Sequence, residues 1–106
     1  MPLDADLPSL RIMTAPARFL VEHHLPRITD SELALLQSAL TDTCLRLTAR
    51  GEPVRYLGSA FLPGPQRLLS LFEAVNADVV RVVSDSSQAP LTCLEVAIAL
   101  PPPTGQ

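Results

Sequence analysis

Residues 54–74, VRYLGSAFLPGPQRLLSLFEA, constrain the fold of this chain more than any other stretch. They read as two apolar strands hinged at Pro63-Gly64-Pro65. Proline presets φ at the turn position ahead of a glycine, so Gly64 is expected to take the positive φ at the next position. Pro65 then cannot donate to a ladder at the exit of the turn. The arms are rich in Leu, Phe and Tyr and lack the polar alternation of solvated surface strands. A hairpin this apolar needs cover on both faces, which implies further strands beside it and helices above it.

Ahead of the hairpin, Arg18–Leu25 (RFLVEHHL) is the first expected strand, stopped by Pro26. Strand period puts Phe19 and Val21 on one face and Leu20, Glu22 and His24 on the other. A helix start comes next. Thr29 is the expected N-cap with Glu32 three residues on, a capping box, and Ile28 and Leu33 flank it as a hydrophobic staple. Leu33, Leu36, Leu40, Cys44 and Leu47 continue at helical spacing. Arg46 and Arg50 oppose the negative end of the helix dipole, and Gly51 and Pro53 end the helix.

Beyond the hairpin, Asn76 is expected to cap a short second helix with Asp78 in its first turn. The run DVVRVV has strand composition, since valine is β-branched. The cap, and a face carrying Val79, Val82 and Val83, favour a helix instead. Asp85–Pro90 reads as a polar loop and Leu91–Leu100 as the last strand. In that strand Leu94, Val96, Ile98 and Leu100 share one face, and Cys93, Glu95, Ala97 and Ala99 the other.

The order is therefore strand, helix, strand, strand, helix, strand. Right-handed crossovers and short connections make this an α+β chain of ferredoxin-like βαββαβ topology. The expected sheet is four-stranded and antiparallel, in the order 4-1-3-2, with both helices on one face. Strands apolar on both faces then leave an uncovered sheet surface that calls for a partner. Packing sheet against sheet in a homodimer, a dimeric α+β barrel, covers it and encloses a cavity.

The 106 residues suffice for one such domain. It is expected over 18–100, between an extended N-terminal arm at 1–17 and a Pro-rich tail at 101–106. Met13 offers an alternative start within the arm. All eight basic residues are scattered arginines and the net charge is −3, so the clustered positive face of a nucleic-acid binder is missing. The apolar runs fall short of the length that spans a membrane, and acids stand where a signal peptide carries positive charge. The expected setting is cytoplasmic, with neither nucleic acid nor membrane as partner. Cys44 on the first helix and Cys93 on the last strand read as free thiols. A disulfide needs Cα atoms within about 7 Å, which packed layers rarely allow.

Polar side chains inside the strands are the candidates for chemistry. Glu22 and His24 share a face of strand one, Glu73 ends strand three, Glu95 and Cys93 lie in strand four, and Tyr56 lies in strand two. Carboxylates on central strands must meet arginine, water, a metal or a ligand. A salt bridge from Glu95 to Arg55 or Arg67 would account for it without a function. His23 and His24 point to opposite faces, so only one of them can serve a given site. One imidazole with Glu22, Glu95 or Cys93 could complete a divalent metal site, although no metal-spacing motif is present. No Ser-His-Asp pattern, phosphate loop or dinucleotide fingerprint occurs, and no catalytic residue is assigned.

VEHHLP followed by a capped helix, then RYLGSAFLPG, RLLSLFEA and a short helix before the last strand, resembles a family of small uncharacterised bacterial ferredoxin-like proteins. Some members of that family are nickel-binding homodimers. The resemblance covers about 18–100. The family's His pair at the end of strand one matches His23 and His24, and its Glu-Ala step at the end of strand three matches Glu73-Ala74. Ser70 stands where members often carry a cysteine, and Val83-Ser84-Asp85 where they often carry a histidine. The resemblance implies a homodimer closed through the helix-free sheet face that binds a small molecule or a metal ion such as nickel. The ligand-binding set is Glu22, His24, Tyr56, Glu73 and Glu95, and the metal set His23, His24, Glu22, Glu95 and Cys93. The alternative is a small cofactor-independent enzyme (isomerase, cyclase or monooxygenase) using the same cavity, with His24 or Glu22 as acid–base group.

Overall fold

The computed structural model describes residues 16–86, 91–98, 100 and 101. Its elements are β1 (Ala17–His24), α1 (Asp30–Ala49), β2 (Val54–Leu62), β3 (Arg67–Ala74), α2 (Ala77–Ser86) and β4 (Leu91–Ala97). The strands form one antiparallel sheet in the order β2-β3-β1-β4, the expected order read from the other edge. This is the ferredoxin-like α+β arrangement. The expected arm up to residue 15, both methionines within it, and the tail beyond Pro101 lie outside the described residues. Among those residues no helix is long and apolar enough to cross a membrane.

Strand alternation builds the core. Phe19 and Val21 of β1, Phe72 and Ala74 of β3 and Val54 of β2 turn to one face. There they meet Leu40, Cys44 and Leu47 of α1 and Val79, Val80 and Val83 of α2. Helix α1 lies over β2, and α2 over β3 and β4. The opposite face carries no covering element among the described residues.

Both ends of α1 follow from local chemistry. The Glu32 N–H donates to Thr29 Oγ1 at 3.1 Å, and the Thr29 N–H donates to Glu32 Oε1 at 2.9 Å. Gly51, at φ 93°, allows its own N–H to reach the Thr48 carbonyl and the Glu52 N–H to reach that of Leu47. Thr48 Oγ1 then bonds both the N–H and the carbonyl of Val54, tying the last turn of α1 to the start of β2. Thr29→Ala removes the cap acceptor and is expected to cost about 1 kcal/mol in urea denaturation. An unchanged midpoint would place the effective helix start beyond Thr29, at Ser31.

Three local expectations are corrected. Positive φ in the β2–β3 turn falls on Gln66 (59°) rather than on Gly64, and Arg27 (62°) does the same after Pro26. In each case a proline presets the turn and the next residue takes the left-handed position, as in a type II turn. In α2 the buried residues are Val79, Val80, Val83 and Ser84, while Val82 stays 43% exposed. The cap is as expected, with the Val79 N–H donating to Asn76 Oδ1 at 3.1 Å, but the helix is rolled so that positions i, i+1, i+4 and i+5 face the sheet. It also takes in Asp85 and Ser86, while 87–90 lie outside the described residues.

Strand β2 contains a bulge. Tyr56 pairs with Phe72 and Gly58 with Leu71, leaving Leu57 as the extra residue. A bulge reverses the in-out parity of the residues beyond it. Val54 and Tyr56 point to the helices before the bulge, and Ser59 and Phe61 do so after it.

Candidate functional site

The predicted site residues divide between the two faces of the sheet. On the helix-free face, Leu20 stands opposite Leu71 on one side and Glu95 on the other. Glu22 stands likewise between Leu69 and Cys93. At the centre, Leu20, Leu57, Ala60, Leu69 and Leu71 floor an open groove of about 340 Å³.

Charge stands around this floor. Arg67 Nη1 donates to Glu22 Oε2. Glu73 accepts from Arg55 at 3.1 Å and lies 3.8 Å from Arg18, clasping its two neighbouring strands. Such exposed pairs contribute little stability, but they occupy the carboxylates. Glu95 does not pair with Arg55 or Arg67, since both are engaged elsewhere. Its partner is Cys93, whose thiol donates to Glu95 Oε2 at 3.3 Å. That hydrogen bond, some burial and the charges of Glu95 and Glu22 push the Cys93 thiol up, away from the thiolate that nucleophilic or metal chemistry requires. Cys44, buried in the core, is pushed up to about 11 and is chemically quiet. Both cysteines are free. His24 is exposed at the end of β1, beside the turn formed by Leu25, Pro26, Arg27 and Ile28.

His23 and Tyr56 lie on the helix-covered face and do not join this group. The reason is strand parity for His23, and for Tyr56 its pairing with Phe72 just before the bulge. The pooled metal set is therefore not brought together. Among the described residues no group of three or more His, Cys, Asp or Glu side chains is gathered closely enough to hold a metal ion.

His23 is fully buried, and neither ring nitrogen has a hydrogen-bond partner among the described residues. Burial holds its pKa below the ordinary value of 6.5. Nearby, a chain of hydroxyls crosses the inner face. Tyr56 Oη bonds Ser59 Oγ, which lies 2.7 Å from the buried Ser70 Oγ. Leu33, Gln37, Tyr56, Ser59, Phe61 and Leu68 line a half-enclosed cavity of about 150 Å³ at this point. Sequence reasoning did not single out Gln37 or Ser59, and it noted Ser70 only as a departure from the resembled family. The available signal was two serines inside otherwise apolar strands, and the bulge concealed that they share a face with Tyr56.

No protein-family model matches the chain, and no curated protein sequence matches it. Among solved structures the chain is similar to SCO4226 from Streptomyces coelicolor A3(2). The identity is 17% and the TM-score 0.66, over 80% of this chain and 100% of that one. A second similarity, to AtUAH in complex with glyoxylate, has 12% identity and a TM-score of 0.41, over 79% of this chain and 27% of that one. The likeness to SCO4226 shows a shared fold.

Proposed function

We propose that the chain is a homodimeric binding domain that closes through its helix-free sheet face and holds a small ligand against it. One observation carries this reading. Leu20, Leu57, Leu69 and Leu71 make an apolar floor at the sheet centre that no described element covers, and charge is confined to its rim. Apolar surface gains roughly 25 cal/mol per Å² when removed from water, so a second copy is the natural cover. The ligand then sits between the floor and the rim groups Glu22, His24, Cys93 and Glu95, with Glu73 at the far end of the same face. Among the described residues Glu95 has no arginine partner, which favours a ligand presenting a hydrogen-bond donor or a positive charge.

A divalent metal such as nickel is the second reading, supported by the carboxylates of Glu22 and Glu95 lying on one face of adjacent strands. It needs donors from both copies, because one chain does not gather three among its described residues. The acid–base alternative has less support, since Arg67 already holds Glu22.

Light scattering at micromolar concentration is expected to give twice the 11.4 kDa chain mass, and Leu71→Glu is expected to give monomer. A monomeric native protein would overturn the reading. Calorimetric titration with nickel separates the ligand classes. Micromolar binding that is lost in both His24→Ala and Glu95→Gln supports the metal, while a dimer indifferent to nickel leaves the organic ligand.

A further inference from the structure

We infer that the cavity beneath α1 is a second binding site, separate from the sheet-face reading, for an uncharged monocyclic compound bearing one oxygen acceptor. Size sets the first limit. The cavity encloses about 150 Å³, the volume of a cavity known to hold a benzene ring. Leu33, Phe61 and Leu68 provide its apolar walls, and no charged side chain among the described residues lines it. A carboxylate or ammonium group would enter without a counter-charge, which is costly.

The polar side of the cavity defines the acceptor. Tyr56, Ser59 and Ser70 carry one hydroxyl hydrogen each, and the two contacts along the chain use two of these. One donor is left over. Ser70 is fully buried behind Ser59, whereas Tyr56 and Ser59 face the cavity. When Ser70 donates to Ser59 and Ser59 to Tyr56, the free hydrogen is the phenol's, presented to whatever occupies the cavity. A ligand carbonyl or ether oxygen completes the series.

The Gln37 carboxamide, without a hydrogen-bond partner among the described residues, offers a second contact from α1. Gln37 and Tyr56 also line an outer groove of about 470 Å³ with Ala34, Ser38, Thr41 and Asp42. These two side chains therefore stand at the passage between a ring-sized interior and open solvent. The tilted contact of Tyr56 with Phe72, centroids 5.4 Å apart, holds the phenol in place.

Cyclohexanone, a neutral ring with a single acceptor, is the probe. Titrated into the purified full chain and followed by amide chemical shifts, it is expected to give saturable changes centred on Gln37, Tyr56, Ser59, Phe61 and Leu68. Tyr56→Phe keeps the ring and removes the donor, and is expected to weaken binding about five- to tenfold with the spectrum still dispersed. Cyclohexanecarboxylate, of similar size but charged, is expected to bind at least tenfold more weakly. Absence of saturable shifts up to the solubility limit would overturn the site. Equal affinity in Tyr56→Phe, or equal affinity for the carboxylate, would overturn the ligand class. Shifts centred on Leu20 and Leu71 would assign the ligand to the sheet face instead. None of these outcomes depends on oligomeric state, so failure of the dimer leaves the result interpretable.

Discussion

Phe72→Ala is expected to lower the free energy of unfolding by about 3–5 kcal/mol, the range for truncating a fully buried aromatic. Phe72 has no exposed surface and lies on β3, the strand between β2 and β1. Phe19 of β1 and Tyr56 of β2 are its direct neighbours on the same face. Removing the ring deletes the transfer term and opens a void between sheet and helices that rigid strands cannot close. A domain of this size commands roughly 5–15 kcal/mol in total, so the variant should be partly unfolded at physiological temperature. Urea denaturation measures the loss directly, and Phe72→Leu should recover most of it. A loss below about 1 kcal/mol would mean that the layer between sheet and helices is not the main core. The substitution also withdraws the support of the Tyr56 ring, so cavity binding should weaken alongside stability.

His23→Leu is expected to raise stability by about 1–2 kcal/mol and to flatten the acid side of the stability profile. Its two buried nitrogens, unpartnered among the described residues, have left water without recovering a hydrogen bond there, and replacing them with a similar apolar volume removes that cost. The pH effect has a definite sign. Burial lowers the folded-state pKa below 6.5, so on the acid side of that value the unfolded chain binds the proton more readily. Stability from this group is complete above about pH 6.5 and is lost as pH falls towards the folded-state value. The loss per pH unit is at most about 1.4 kcal/mol. The informative quantity is the difference in slope between native protein and His23→Leu. Identical slopes, or a destabilised variant, would show that the imidazole has a partner in solution and is held in place by it.

Several features were legible in the chain because they depend on residues a few positions apart. Thr29 with Glu32 specifies a capping box within one turn, and Gly51 specifies the helix end. Alternation in RFLVEHHL separates Phe19 and Val21 from Leu20 and Glu22, because strand period is two whatever lies next to the strand. With short connections these elements admit few sheet orders, and the observed one is among them. The same alternation correctly set His23 apart from His24.

What the chain did not disclose depends on pairing between distant strands. Leu57 becomes a bulge only when β2 meets β3, and that single extra residue turns Ser59 inward beside Tyr56 and Ser70. The partner of Glu95 stayed open until strand register placed Arg55 at Glu73 and Arg67 at Glu22, leaving Cys93. The roll of α2, which buries Val80 and exposes Val82, is set by how its apolar surface docks on β3 and β4. Local chemistry thus determined where elements begin and end, while inter-strand register determined which polar groups meet, since hydrogen bonds and ion pairs act only over a few ångströms.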